Sequence, residues 1–182
     1  MWEILALLAL AGAGVLVYNG LVRLRETAET AWSDIDVQLR RRHDLVPNVV
    51  EAVKGYTEHE RGTLEAVIAA RSEAMSASGP ARRGDAEGSL SGAIRSLFAL
   101  SESYPELRAS ERFRQLQETL SVLEEDISQA RRYYNAVVRD YNTRIGQVPS
   151  NVVARTFGFR EREFFQLDGA ERDAPSVRLE GA

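Results

Sequence analysis

No segment of the chain restricts its folding more than residues 4–22. Ile4 through Val17 carry no charged or polar side chain, Tyr18-Asn19-Gly20 follow, and Leu21-Val22 finish the run before Arg23 and Arg25. The 19 residues from Ile4 to Val22 just reach the length needed to cross a hydrocarbon core of ~30 Å as a helix. After Arg23 polar and apolar residues alternate at helical spacing, so the expected organisation is one membrane anchor followed by a water-soluble helical part.

A cleaved secretory signal would open with a basic stretch and end in a small-residue cleavage site. Here Glu3 is the only charged side chain before the apolar run, and Ala11-Gly12-Ala13 lies inside it. The expectation is therefore a retained anchor, and the absence of Cys excludes a lipoprotein anchor. Arg23 and Arg25 follow the span and no basic residue precedes it, which places the remainder in the cytoplasm by the positive-inside tendency. Trp2 and Tyr18 stand near the two ends, where amphipathic rings favour the membrane interface.

About 160 residues remain beyond the anchor, enough for one domain with a real core. Charge is nearly balanced, with 23 basic and 27 acidic side chains, so there is no electrostatic footprint for nucleic acid. Without Cys there are no disulfides, thiolate nucleophiles or Cys-based metal sites.

Four amphipathic runs follow. The first extends the anchor through Leu21, Leu24, Ala28, Ala31, Ile35 and Leu39, and Arg40-Arg41-Arg42-His43 is expected to end it, since cations suit a helix C-terminus. Asp44 then serves as N-cap of a second helix with Pro47 in its first turn. That helix holds Val46, Val49, Val50, Val53 and Tyr56, then Leu64, Val67, Ile68 and Met75, with a polar interruption from Thr57 to Thr63. Residues 76–89, SASGPARRGDAEGS, read as a loop. A short third helix carries Leu90, Ile94, Leu97 and Phe98, and Tyr104-Pro105-Glu106-Leu107 breaks it.

The fourth run gives the cleanest pattern. Phe113, Leu116, Leu120, Leu123, Ile127, Ala130, Tyr134, Val137 and Tyr141 alternate steps of three and four, the period of a helix-packing seam. With Ser110 as cap and Pro149 as stop, this helix is ~54 Å long and needs partners of similar length. The fold class that follows is all-α: an N-terminal transmembrane helix (residues 1–22) continuing into an elongated antiparallel four-helix bundle over residues 23–165. A short helix from Ser150 ends at Gly158, Phe157, Phe159, Phe164 and Phe165 pin a C-terminal arm to the bundle, and residues 166–182 form a disordered tail.

These segments resemble the LemA family. The resemblance is carried by Tyr18-Asn19 with Leu21-Val22, by AWSDIDVQLRRRHDLVPNVVEAVKGYTEHE from Ala31 to Glu60, and by Tyr104-Pro105-Glu106-Leu107. ARRYYNAVVRDYN from Ala130 to Asn142 and VPSNVVARTFGF from Val148 to Phe159 add to it. It implies a single N-terminal anchor, a cytoplasmic helical bundle and no defined reaction. It also implies a role in membrane protein quality control or membrane organisation, in the company of integral-membrane zinc proteases.

The residues offer little chemistry. A di-iron site in a bundle uses Glu-x-x-His pairs, but Arg40 and Tyr56 stand three residues before His43 and His59. His59-Glu60 begins like a zinc-protease motif, yet Gly62 and Thr63 follow where a second His belongs. A phosphate-accepting His is the remaining enzymatic option: His59 is flanked by Glu58 and Glu60, which repel a phosphoryl group, while His43 lies beside three Arg residues, which suit anion attraction better. The expectation is thus no enzyme, no cofactor and no metal. Two polar features are candidate interaction sites. One is Arg40-Arg41-Arg42-His43, read either as a solvated helix end or as a dock for acidic partner residues. The other is the repeat Tyr134-Asn135 and Tyr141-Asn142, whose polar groups either satisfy neighbouring backbone or face a partner; Asp34 and Asp36 are available to Arg131, Arg132 or Arg139. The expected role is a membrane-anchored scaffold or adaptor, held in the bilayer by residues 4–22 and contacting other membrane proteins, an integral-membrane protease among them. The alternative is a structural protein that assembles with copies of itself on the membrane.

Overall fold

A computed structural model describes residues 1–56 and 60–166. Every regular element among those residues is a helix, with no strand: α1 (Trp2–Lys54), α2 (Arg61–Ser76), α3 (Pro80–Ser101), α4 (Pro105–Ala109), α5 (Glu111–Gly146) and α6 (Ser150–Thr156). By compactness the described residues divide into two units, one of Met1–Asp44 with Glu118–Phe164 and one of Leu45–Gln117 with Phe165 and Gln166.

In the first unit, α1 buries Leu21, Ala28, Ala31, Ile35 and Leu39, and α5 buries Leu120, Leu123, Ile127, Tyr134, Val137, Val138 and Tyr141. Side chains three and four apart share a helix face, so each set forms one stripe. The stripes run antiparallel: Arg42 of α1 meets Glu124 of α5, while Trp32, earlier in α1, meets Tyr134, later in α5. At the N-terminal end the apolar side chains from Ile4 to Leu16 have no protein cover. By length and composition α1 is apolar enough over 18 residues near its N-terminus to cross a membrane.

In the second unit, α2 packs on α3 through Leu64 and Val67 on one side and Leu90, Ile94 and Leu97 on the other, all buried. Phe113 at the start of α5 meets Phe98 edge-on at 6.0 Å. Ser110 caps α5 as expected, its Oγ accepting from the Phe113 amide at 3.4 Å.

Three expectations need correction. The helix break at Arg40–Asp44 does not occur: α1 runs on to Lys54 with Pro47 inside it. The reason lies in the seam, which continues from Ile35 and Leu39 through buried Arg42 to Val46, Val49 and Val53. Packing along that unbroken stripe outweighs the roughly 3 kcal/mol that an interior proline costs.

Second, residues 76–89 are not a loop, because only Ala77, Ser78 and Gly79 separate α2 from α3. Gly79 turns the chain with φ 82° and Pro80 opens the helix. One of the small residues that suggested a loop is there for close approach: a Cβ on Gly84 would stand 1.8 Å from the carbonyl oxygen of Gln166. Third, Tyr56, Ile68 and Met75 lie on the outside rather than in a seam. The expected tail from residue 166 falls, save for Gln166, outside the described residues, as does His59.

Candidate functional site

The Tyr–Asn repeat of α5 is a clamp for the arm that follows α6. Tyr134 Oη donates to the Glu163 carbonyl at 2.9 Å, and Tyr141 Oη donates to that of Arg160 at 2.9 Å. Between them Asn142 holds Arg162 twice. Its Nδ2 donates to the Arg162 carbonyl and its Oδ1 accepts from the Arg162 amide, each at 2.9 Å. An arm without regular secondary structure has no partners of its own for these backbone groups, so side chains on a rigid helix supply them. The Arg162 side chain then pairs with Glu29 of α1. Burial raises the pKa of both phenols, and in each case the nearby Arg162 charge acts in the opposite direction. Asn135 is half-buried one residue beyond Tyr134.

A second cluster sits where the anchor meets the packed part. Tyr18 of α1 lies 4.8 Å from the ring of Phe157 and 5.7 Å from that of Phe159. Arg25 places its guanidinium 5.5 Å from the Phe159 ring centre, within cation–π range. Gly158, with φ 72°, ends α6 and lets the two phenylalanines straddle Tyr18. Ser150 and Ala154, one turn apart, are buried, whereas Val152 on the opposite face of α6 is exposed.

The Arg40–His43 run does not form one surface patch. Arg40 is exposed and pairs with Asp36 at 2.6 Å, and Arg41 is exposed beside Gln38. Arg42 is fully buried, with Nη1 2.5 Å from Glu124 Oε1, and His43 is buried next to it. A dock built from all four residues is therefore not available, and His43 is closed to a phosphoryl donor. Arg42 falls at the seam spacing between Leu39 and Val46, but its charge argued for a surface residue, and its burial was not read from the sequence. Its partner Glu124 was not legible either, because 82 residues separate them. On the exposed face of α5, hydrogen bonds from Gln129 and then Arg132 lower the pKa of Glu125.

The second unit holds one further feature, an open groove of about 350 Å³ lined by Val46, Pro47, Val50, Glu51, Lys54, Ile68 and Arg71. Among the described residues no group of three or more His, Asp or Glu side chains is placed to hold a metal ion.

Comparison with known proteins supplies the family. The family model described as "LemA family" matches residues 31–179. The chain belongs to the LemA family. Its relatives include Magnetosome protein MamQ 2 of Paramagnetospirillum magneticum, 25% identical over 90% of this chain and 70% of the relative. Magnetosome protein MamQ of Magnetospirillum gryphiswaldense is 24% identical over the same shares. Protein LemA of Metamycoplasma hominis is 27% identical over 85% of this chain and 71% of the relative. The LemA-family strings noted in the sequence thus include the clamp of α5 and the Phe157–Phe159 turn.

Proposed function

We propose that this LemA-family chain is a single-pass membrane scaffold or adaptor whose helical part lies in the cytoplasm and engages other membrane proteins. The observation that carries the reading is α1 itself: the uncovered apolar stretch from Ile4 and the buried seam to Val53 belong to one unbroken helix. An anchor joined to the packed part by a continuous helix, rather than by a flexible linker, transmits position and orientation. The polar side chains that stand out in the sequence are largely spent on structure, with Tyr134, Tyr141 and Asn142 on the arm and Arg42 on Glu124. That leaves little for a reaction and favours a role in holding proteins together. Orientation rests on Arg23 and Arg25 following the span. The names of the magnetosome relatives tie them to a cell structure rather than to a substrate, which fits a scaffold. An integral-membrane protease is one partner of the right kind.

Mild crosslinking of the full chain in its own membrane, followed by identification of the attached species, tests this. A recurrent membrane protein linked at defined positions of the helical part supports the adaptor. A ladder containing only this chain refutes it and moves the reading to self-assembly.

A further inference from the structure

The apolar run and the uncovered part of α1 differ in length. From Ile4, just after charged Glu3, to Val22, just before charged Arg23, the helix rises ~28 Å at 1.5 Å per residue, close to the ~30 Å of a bilayer core. The bare part ends sooner. From Val17 onward the helix is partly covered, and Leu21 is 0% exposed. Ile4–Leu16 alone spans only ~20 Å. If the anchor crosses a bilayer, its last ~9 Å cross together with the protein that covers them.

Part of that protein is the turn that follows α6. Phe157 and Phe159 pack on Tyr18, four residues inside the end of the apolar run, which puts them ~6 Å below the level of Val22. The surface they bring along suits a lipid boundary. Val148, Val152 and Phe157 are 81%, 64% and 62% exposed, and Ser150 and Ala154 face inward, so the outward side of this segment presents three apolar side chains beside exposed Arg155 and Thr156. The charge suits it too. The chain carries a formal net charge of −4, yet from Thr143 to Arg160 there are three arginines, Arg144, Arg155 and Arg160, and no Asp or Glu. All three are exposed. Arg23 and Arg25 stand exposed at the end of the span, Arg25 also 3.5 Å from Glu26.

We infer that Val148–Phe157 forms a collar around the anchor that embeds in the headgroup–acyl boundary of the same membrane, with Val148, Val152 and Phe157 in the acyl edge and the arginines among anionic headgroups. Such a segment binds lipid through buried apolar surface and attraction to acidic headgroups. Because the clamp of α5 holds the arm that continues from the collar, the collar fixes the tilt of α1 and α5 of this unit at the membrane surface. The inference rests on the anchor reading, and its test separates the two.

The chain has no Cys, so a single introduced Cys carries a unique label. Val148→Cys, Val152→Cys and Phe157→Cys, each bearing an environment-sensitive fluorophore, are reconstituted as full chains in phosphatidylcholine–phosphatidylglycerol vesicles containing nitroxide lipids. Leu10→Cys in the anchor and Val122→Cys on an exposed position of α5 serve as references. Val148 and Val152 make no ring contact, so they test the collar even if Phe157→Cys loosens the Tyr18 cluster. The expected result is loss of most fluorescence at Val148 and Val152 with a shallow nitroxide, at Leu10 with a deep one, and at Val122 with neither. Quenching at Leu10 with Val148 and Val152 behaving like Val122 overturns the collar and leaves the anchor standing. Protection of Val148 and Val152 from aqueous iodide without lipid quenching overturns it in favour of a protein cover. An unquenched Leu10 removes the anchor reading and the collar with it.

Discussion

Replacing Asn142 with Ala removes the one side chain that meets both backbone groups of Arg162. Two hydrogen bonds of 2.9 Å are lost, and a half-buried amide and carbonyl lose those partners. Each bond contributes about 1 kcal/mol net, and an incompletely solvated orphan adds to the cost, so the expected loss is about 2–3 kcal/mol. For a chain of this length 1 kcal/mol moves the melting midpoint by about 2–4 °C, which gives a fall of about 4–12 °C. Asn142→Asp keeps the acceptor for the Arg162 amide but turns a carboxylate oxygen toward the Arg162 carbonyl, so it recovers little. The assay is thermal unfolding of the full chain in detergent, followed by circular dichroism, with amide hydrogen exchange read at Arg162. Exchange at that amide should accelerate in Asn142→Ala well before global unfolding, because the arm is released locally. An Arg162 amide that exchanges at the wild-type rate, with the melting midpoint unmoved, would refute the clamp.

Gly84→Ala should lower stability by about 1–3 kcal/mol although it raises helix propensity by about 1 kcal/mol, because the new Cβ collides with the Gln166 backbone; a higher melting temperature would sink that account. Glu124→Leu should cost about 1–3 kcal/mol and Arg42→Met less, since the first takes one partner from a buried guanidinium and the second removes the buried charge. Denaturant titration of both variants ranks them. Leu120→Asp, at a buried seam position, should cost on the order of 4 kcal/mol, and full helicity at an unchanged midpoint would show that the seam is not core.

The raised phenol pKa values give a pH dependence whose sign follows from linkage. Tyr134 and Tyr141 hold their protons more tightly when folded than at the free value of 10.0. Their contribution is therefore complete below that pH and is lost as pH rises from it through the raised folded values. The melting midpoint of the wild type should fall more steeply above pH 10.0 than that of the Tyr134→Phe, Tyr141→Phe double variant.

What could be read along the chain was whatever periodicity and side-chain type express locally. The apolar run from Ile4 to Val22, the three-four seam of α5, the Ser110 cap and the Gly158 stop each depend on residues within a few turns of one another, and each is in the structure where the pattern puts it. The Tyr–Asn repeat was legible as a face, and Tyr134, Tyr141 and Asn142 use their polar groups on the backbone of the arm.

What tertiary structure decided were the places where a local signal met a distant partner. Pro47 and the arginine run argued for a helix end, but a seam buried along its whole length carries α1 past both. Gly84 and its small neighbours looked like a loop until the Gln166 backbone, 82 positions away, was seen to need the space. Arg42 reads as a surface cation in sequence and becomes a buried one only because α5 brings Glu124 to it. Sequence patterns report which face of a helix avoids water, but they do not say which other part of the chain will cover it. That choice belongs to long-range packing, and it separates the side chains free to meet a membrane or a partner from those already engaged.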